Sequence, residues 1–560
     1  MSNATVSLVP AQSAEMVPEP AVYVEGLRLK YPGEERLMFK DLSFSAVRGE
    51  KVLLLGPSGC GKSTLLQVLS GMIPRATEVP MKCESQLVPR SWGYVFQDPD
   101  TQFCMPYVDE ELAFVLENLS VPRDEMKERM QAALREVGLD LEELHMPIGH
   151  LSQGMKQRLA LASALLLEPE VLFLDEPSAL LDPEGREQIW SAVKAVSDGR
   201  TLIIVEHRIE EMARYVDRVV LFSPDGVILG EGPPAAIFAE YERELQAYGI
   251  WYPGVWEDYA QTRAGRELFA PVDALGDEQG NRNLLHEAAP PYAQRGEPVI
   301  HLANFRGMRW DKPVISLPSA EVFPGQFIAV VGPNGAGKSS LLLSLMGLLR
   351  AEGTYMLCRE EVIQGKRRKV RKKREQQLRQ IGFVFQNPEL QFLTERIGDE
   401  VVYSLLVDHV PPEEAKAQAE RCLERFGLNG LEARHPYQLS TGQKRRLSVA
   451  TAMARQPSVL LLDEPTFGQD ARNTFAILEM CEKLRRAGTA ILMVTHEMEV
   501  AQRVATHIWE IREGQLTSSM PSPRWCTGTE SGREAGGVNG TDETRENLTT
   551  ADHRLTGVNA

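Results

Sequence analysis

The chain is poor in the features that staple, anchor or charge-steer a protein. Cysteine is scarce: seven in 560 residues (Cys60, Cys83, Cys104, Cys358, Cys422, Cys481 and Cys526), odd in number and without a CxxC pair. That argues against a disulfide scaffold or zinc ribbon and leads us to expect reduced thiols in a cytosolic protein. Long apolar runs are missing too. Crossing a bilayer takes about 20 apolar residues in succession, and the best stretch, LALASALLLEPEVLFL, is broken by Glu168, Pro169 and Glu170. The first twenty residues have no basic segment followed by an apolar core, so no signal peptide is expected. Any membrane role is therefore expected to be peripheral. Positive charge is the third deficit: 61 Lys and Arg against 78 Asp and Glu leave a formal net charge of −17. No nucleic-acid partner is expected of so acidic a chain, because phosphate backbones are met by basic surfaces.

What is present is a repeat. GPSGCGKST at Gly56 returns as GPNGAGKSS at Gly332, 276 residues on. LSQG at Leu151 returns as LSTG at Leu439, and Asp175 of VLFLDEP as Asp463 of VLLLDEP, each after 288 residues. FQDPDTQF at Phe96 returns as FQNPELQF at Phe385, and His207 as His496, each after 289. A domain of about 220 residues is thus duplicated. The second copy gains about 13 residues between its glycine-rich loop and the repeated phrase. The gain falls where nine of the fourteen residues from Lys366 to Arg379 are basic, which reads as a solvated surface loop or hairpin extension, with contact to anionic lipid or RNA as the other reading. The expected organisation is a flexible start (1–20), a first domain (21–245), a linker (246–297), a second domain (298–516) and a disordered polar tail (517–560).

The repeated motifs carry chemistry. Each GxxxxGK[ST] follows a short apolar strand and opens a helix, the context of a phosphate-binding loop. The loop that would bind the nucleotide is Gly56, Pro57, Ser58, Gly59, Cys60, Gly61, Lys62, Ser63 and Thr64 in one copy, and Gly332, Pro333, Asn334, Gly335, Ala336, Gly337, Lys338, Ser339 and Ser340 in the other, with the backbone N–H groups of its residues other than proline turned toward the phosphates. Lys62 and Lys338 would reach the terminal phosphates, and the hydroxyls of Ser63 and Ser339 would ligate Mg²⁺. Asp175 and Asp463 end apolar strands and would hold the same ion. Glu176 and Glu464 then stand where a general base could polarise water. His207 and His496 end further apolar strands at matched distances, which favours water positioning or phosphate sensing over a purely structural role. The Ser-x-Gly of each LSxG can cap a helix and present N–H groups to an anion.

These motifs, in this order and twice over, resemble the nucleotide-binding domains of ATP-binding cassette proteins, over about residues 21–240 and 298–515. The resemblance implies an α/β fold of tandem P-loop domains, each with a mainly parallel core sheet, an antiparallel β subdomain and a helical subdomain. It implies that the two domains pair within the chain, the signature of each closing over ATP on the other. One site would join Lys62, Glu176 and His207 with Ser440 and Gly442; the other would join Lys338, Glu464 and His496 with Ser152 and Gly154. Tyr31 and Trp310 match the adenine-stacking aromatic, Asp182 and Asp470 the D-loop aspartate, and Gln97 and Gln386 the Q-loop amide that ligates Mg²⁺. The signatures depart from the family pattern at Gln153, Thr441 and Met155, and Cys60 is unusual beside the phosphate turn; none of these changes removes a catalytic group.

Three functions fit such a chain: a transporter ATPase with separate membrane subunits, a soluble ribosome-associated double cassette acting in translation, and a DNA-repair or chromosome ATPase. Long coiled coils and zinc-binding cysteine pairs, expected of the third, are missing. A linker with Gly, Pro and several aromatics favours transport over the second. The extended phrase Q-[DN]-P-[DE]-x-Q-F and EPTFGQD resemble the ATPases of energy-coupling factor importers. That implies a transmembrane coupling subunit, a small substrate-binding membrane subunit, and uptake of a vitamin, a vitamin precursor of the thiamine type, or a transition-metal ion. The phrase after Gln97 and Gln386 is expected to meet the membrane partner.

Overall fold

The computed structural model describes residues 19–270, 296–362 and 368–523, apart from Glu35, Ser58, Leu180, His207, Arg208, Glu210 and Glu211. Each half is built on a sheet whose central strands read as unbroken apolar runs, such as VLFLD, TLIIV and VLLLD, buried along their whole length. Such runs suit strands covered on both faces, as in parallel sheets flanked by helices. In the first half the order is Ile228–Gly232, Arg218–Phe222, Lys51–Leu55, Thr201–Val205, Val171–Asp175, Trp92–Val95. Only the first pair is antiparallel. The second half repeats the arrangement with Gln515–Pro521, His507–Arg512, Phe327–Val331, Ala490–Val494, Val459–Asp463 and Ile381–Val384. The glycine-rich loops and the Asp-Glu pairs therefore lie at the carboxyl ends of neighbouring parts of one sheet, where α/β folds bind ligands.

An antiparallel layer flanks each core sheet. In the first half it is separate, formed by Pro20–Leu29, Phe39–Val47, Met81–Lys82 and Ser85–Leu87. In the second half, Lys312–Val322 pairs with Gln515–Pro521 at Ser316 and Gln515, so both layers merge into one ten-stranded sheet. Helices Val108–Asn118, Arg123–Glu136 and Gln153–Leu165, and their counterparts Ile397–Val407, Pro412–Arg425 and Thr441–Met453, complete each half. The expected fold class is the one observed.

Three boundaries differ from expectation. The segment read as a linker from 246 is helical over Val255–Gln261 and Arg263–Phe269, because its aromatic residues find a surface to cover: Trp251, Tyr252 and Trp256 are buried in a cluster shared with both halves. Residues 271–295 of that segment lie outside the described residues. The second domain does not stop at 516, since Gln515–Pro521 pairs along His507–Arg512 and Ser522 hydrogen-bonds back to Thr506 and Ala505. The basic insertion, expected as a loop or hairpin, contains a helix, Arg368–Gln377. Among the described residues no helix is long and apolar enough to cross a membrane.

Candidate functional site

Both glycine-rich loops turn into their helices through a residue only glycine suits. Gly61 and Gly337 have φ of 103° and 101°. A Cβ would lie 2.7 Å from the Phe39 ring at the first and 2.7 Å from the Val314 carbonyl oxygen at the second. The following lysines are buried. Lys62 Nζ donates to the Gly56 and Pro57 oxygens (2.8 and 3.1 Å), and Lys338 Nζ to those of Gly332 and Pro333 (both 2.8 Å). Burial lowers the Lys338 pKa, opposed by the carboxylates of Glu464, Asp182 and Asp463.

Beside each loop the expected Mg²⁺ ligands meet. Ser63 Oγ donates to Asp175 Oδ1 at 2.8 Å, and Ser339 Oγ to Asp463 Oδ1 at 3.0 Å. Gln97 Nε2 donates to Glu176 Oε2 at 2.9 Å, and Gln386 Nε2 to Glu464 Oε2 at 3.0 Å. His496 Nε2 lies 3.0 Å from Glu464 Oε1, so that carboxylate is held between an amide and an imidazole. Both glutamates adopt left-handed backbone (φ 50° and 47°), a strain typical of functional positions. His207 and Ser58 lie outside the described residues. A cavity of about 500 Å³ between the halves is lined by Gln97, Glu176, Gln386, Glu464 and His496. Asp182 and Gly332 line a neighbouring one, which brings the Asp182 turn of the first half against the second half's glycine-rich loop.

The remaining expected residues are placed as follows. Tyr31 lies beside its loop, its hydroxyl 3.0 Å from Thr64 Oγ1; Trp310 occupies the equivalent strand turn and is 90% exposed. Ser152 and Ser440 cap the signature helices by accepting from the N–H of Met155 and Gln443. Only the second completes a reciprocal capping box, because Met155 has no amide to return the bond that Gln443 makes. Among the described residues no hydrogen bond joins either signature to either glycine-rich loop.

The polar letters of the repeated phrase also make bonds within their own half, while Gln97, Asp98, Asp100, Gln386 and Asn387 stay exposed. Asp98 and Asn387 cap short turns by accepting from the N–H of Asp100 and Glu389. Asp100 pairs with Lys156 (2.7 Å) and Glu389 with Lys444 (2.6 Å). Gln102 donates to the Ala160 oxygen and Gln391 to that of Ser448. The phrase is thus bound to its own signature helix, because that helix offers a lysine and a carbonyl oxygen with a second lone pair at the right reach.

Sequence reasoning missed three residues. Gln157 reaches the Phe96 oxygen, and Arg445, five residues after the second signature serine as Gln157 is after the first, reaches those of Phe385 and Gln386. Burial lowers the Arg445 pKa to about 10. Comparison of the two copies could have found this pair. Tyr94 donates to Asp175 Oδ2 at 3.0 Å, whereas the equivalent Phe383 has no hydroxyl. Asp463 thus lacks a donor that Asp175 has.

Burial is the main cause that raises the pKa of both aspartates, Asp463 to about 6. A carboxyl whose folded pKa exceeds its unfolded value of about 3.9 binds more protons when folded. Its contribution to stability therefore falls as pH rises between about 4 and 6, and is least favourable above that window. Asp463→Asn should raise the melting point of the nucleotide- and metal-free protein at pH 7.5, by on the order of 1–3 kcal/mol in stability, with the gain shrinking towards pH 5. A thermal melt without that gain refutes the assignment of the strain to Asp463.

A family model described as ABC transporter matches residues 39–179 and 317–467. A relative from Bacillus subtilis (strain 168), the "Putative HMP/thiamine import ATP-binding protein YkoD", is 36% identical over 508 residues, spanning 88% of this chain and 90% of the relative. A "Putative ABC transporter ATP-binding protein" of Methanosarcina acetivorans is 31% identical over 537 residues, spanning 90% of this chain and 86% of its own. Among solved structures, the complex of archaeal ribosomal stalk protein aP1 with the ribosome recycling factor aABCE1 matches with a TM-score of 0.54 over 85% of this chain and 86% of that one. At 18% identity it shows likeness of fold alone. The matched regions hold both glycine-rich loops, both phrases and both Asp-Glu pairs, and the long relatives align across both halves: the chain belongs to the family of ABC transporter ATP-binding proteins and is a double-cassette ATPase.

Proposed function

We propose that this ATPase is the energy-coupling subunit of an energy-coupling factor importer for a vitamin, a thiamine-type precursor or a transition-metal ion. The observation that carries this reading is the relative named for HMP/thiamine import, aligned across both halves. The second half also leaves Leu390 and Leu393, beside its Q-loop, 72% and 71% exposed. Apolar side chains so placed suit a membrane partner's helix. The partners are a transmembrane coupling subunit and a small substrate-binding membrane subunit, and the chain works at the cytoplasmic face of the membrane.

Each site suits Mg²⁺ as well as ATP. The serine hydroxyl, the aspartate carboxylate and the Q-loop amide oxygen are hard oxygen donors of the kind that ion takes, with phosphate oxygens and water completing its shell. Ser63, Asp175 and Gln97 would hold it in one site, and Ser339, Asp463 and Gln386 in the other. Bound there, the ion would offset charge on the phosphates during transfer. Lys62 and Lys338 bind the terminal phosphates, and Glu176 and Glu464 accept a proton from the attacking water. ATP contacted from both halves favours the closed pair, and its cleavage removes that preference.

The test is affinity purification of the tagged chain from detergent-solubilised membranes of its own cells. Recovery of a coupling-type transmembrane protein and a small membrane protein in stoichiometric amounts is expected. Recovery with ribosomes, or with neither membrane protein, overturns the reading.

A further inference from the structure

The two halves differ at one turn in a way that the repeat does not require. In the second half the aspartate is followed by Ala471, and in the first by Pro183. Both aspartates are extended (Asp470 φ −67°, ψ 166°; Asp182 φ −68°, ψ 169°) and cap the next helix through the N–H three residues on. Ala471, however, keeps a backbone N–H that proline lacks. That N–H donates to the Gly249 oxygen at 2.9 Å. Two residues on, Trp251 Nε1 donates to the Gln469 oxygen, also at 2.9 Å. The chain leaving the first half thus grips the backbone immediately before and immediately after Asp470.

The grip is tight and well anchored. Gly249 has φ 70°, and a Cβ there would stand 2.6 Å from the Arg472 Cβ, so no other residue brings its carbonyl as near. Beyond it, the Tyr259 ring stacks on Phe475 at 3.7 Å, Trp256 meets the same ring edge-on at 4.9 Å, and Glu257 pairs with Arg503. Aromatic pairs of this kind add to the burial that holds a surface segment down. The turn that is held lies at the site. Gly468 and Gln469 line the interdomain cavity that holds Gln97 and Glu176 as well as Gln386 and Glu464, and what singles out one site is Asn473: bonded to Asp470, it packs so closely on Gly442, the signature glycine assigned to the site of Lys62 and Glu176, that a Cβ there would meet its amide oxygen at 2.2 Å.

We propose that residues 249–269 form a strap by which the first half fixes the Asp470 turn of the second, so that Gly249 and Trp251 are positioning residues for the ATP site of Lys62 and Glu176 and not for that of Lys338 and Glu464. The Asp182 turn, with proline in place of the donor, has no group to receive such a grip at that position. The inference rests on the assignment of Glu176 and Glu464 to separate sites under the proposed function.

Ala471→Pro tests it. Proline is favoured at the first position of a helix, and the extended Asp470 accepts a following proline, so the variant deletes one hydrogen bond and copies the first half. ATP hydrolysis is measured on the full chain in two backgrounds, Glu464→Gln, which leaves only Glu176 working, and Glu176→Gln, which leaves only Glu464. Ala471→Pro should lower kcat about three- to tenfold in the first background, the effect of one lost hydrogen bond, and change it less than twofold in the second. Trp251→Phe, which removes the indole donor and keeps an aromatic ring, should show the same split. No change in the first background, or an equal fall in both, overturns the strap. If neither single glutamate variant slows the parent chain, the assignment of the sites fails and the strap's selectivity with it.

Discussion

With Glu176 and Glu464 both replaced by Gln, the chain should bind ATP as before and no longer turn it over. Glutamine keeps the volume and can still bond to Gln97 and Gln386, so the local packing survives. What disappears is the carboxylate assigned to accept the water's proton just past each of the strands Val171–Asp175 and Val459–Asp463. A positioned general base contributes about 10²- to 10⁴-fold. Phosphate release should therefore fall by at least about 100-fold, while nucleotide affinity by equilibrium dialysis stays within about threefold. The left-handed backbone at both positions argues that the fold itself places the carboxylates. Wild-type turnover in the double variant would remove both glutamates from the chemistry.

Replacing Lys62 and Lys338 by Ala has the opposite signature. These side chains are 6% and 5% exposed, and in each loop the ammonium sits on two carbonyl oxygens that curve around the phosphate position. Phosphate brings stronger, charge-assisted bonds to the same ammonium, each of about 1.5–3 kcal/mol. Their loss should weaken ATP binding on the order of 100-fold per site, and turnover falls because the sites stand empty. Retention of wild-type affinity in the double alanine variant would mean that the lysines serve the loops' own folding. The two double variants thus separate binding from catalysis.

Much of this architecture is legible in the amino-acid sequence alone. The glycine-rich loops, Asp-Glu pairs and Q-loop glutamines each carry a spacing fixed by local backbone geometry, and the duplication lets each copy check the other. The buried strands read directly as apolar runs. What escapes is set by contacts between distant segments. Trp251 and Tyr259 look like linker aromatics because nothing local says that Phe475 waits over 200 residues away. The bonds of Asp100 and Gln102 are hidden as well, because their partners, Lys156 and the Ala160 carbonyl, lie on a helix whose packing the phrase alone does not reveal. The strand Gln515–Pro521 is polar and weakly patterned, and it exists because His507–Arg512 offers an edge to pair with. The merging of the two layers in the second half only follows from that pairing.

The bonds between each phrase and its signature helix bear on how either can evolve. An acid at position 100 has meaning only with a base at 156, and likewise 389 with 444. Swapping the charges of one such pair together should be tolerated, whereas reversing a single member sets like charges about a hydrogen bond apart. A charge change at one member of either pair is therefore expected to be best tolerated when its partner changes with it.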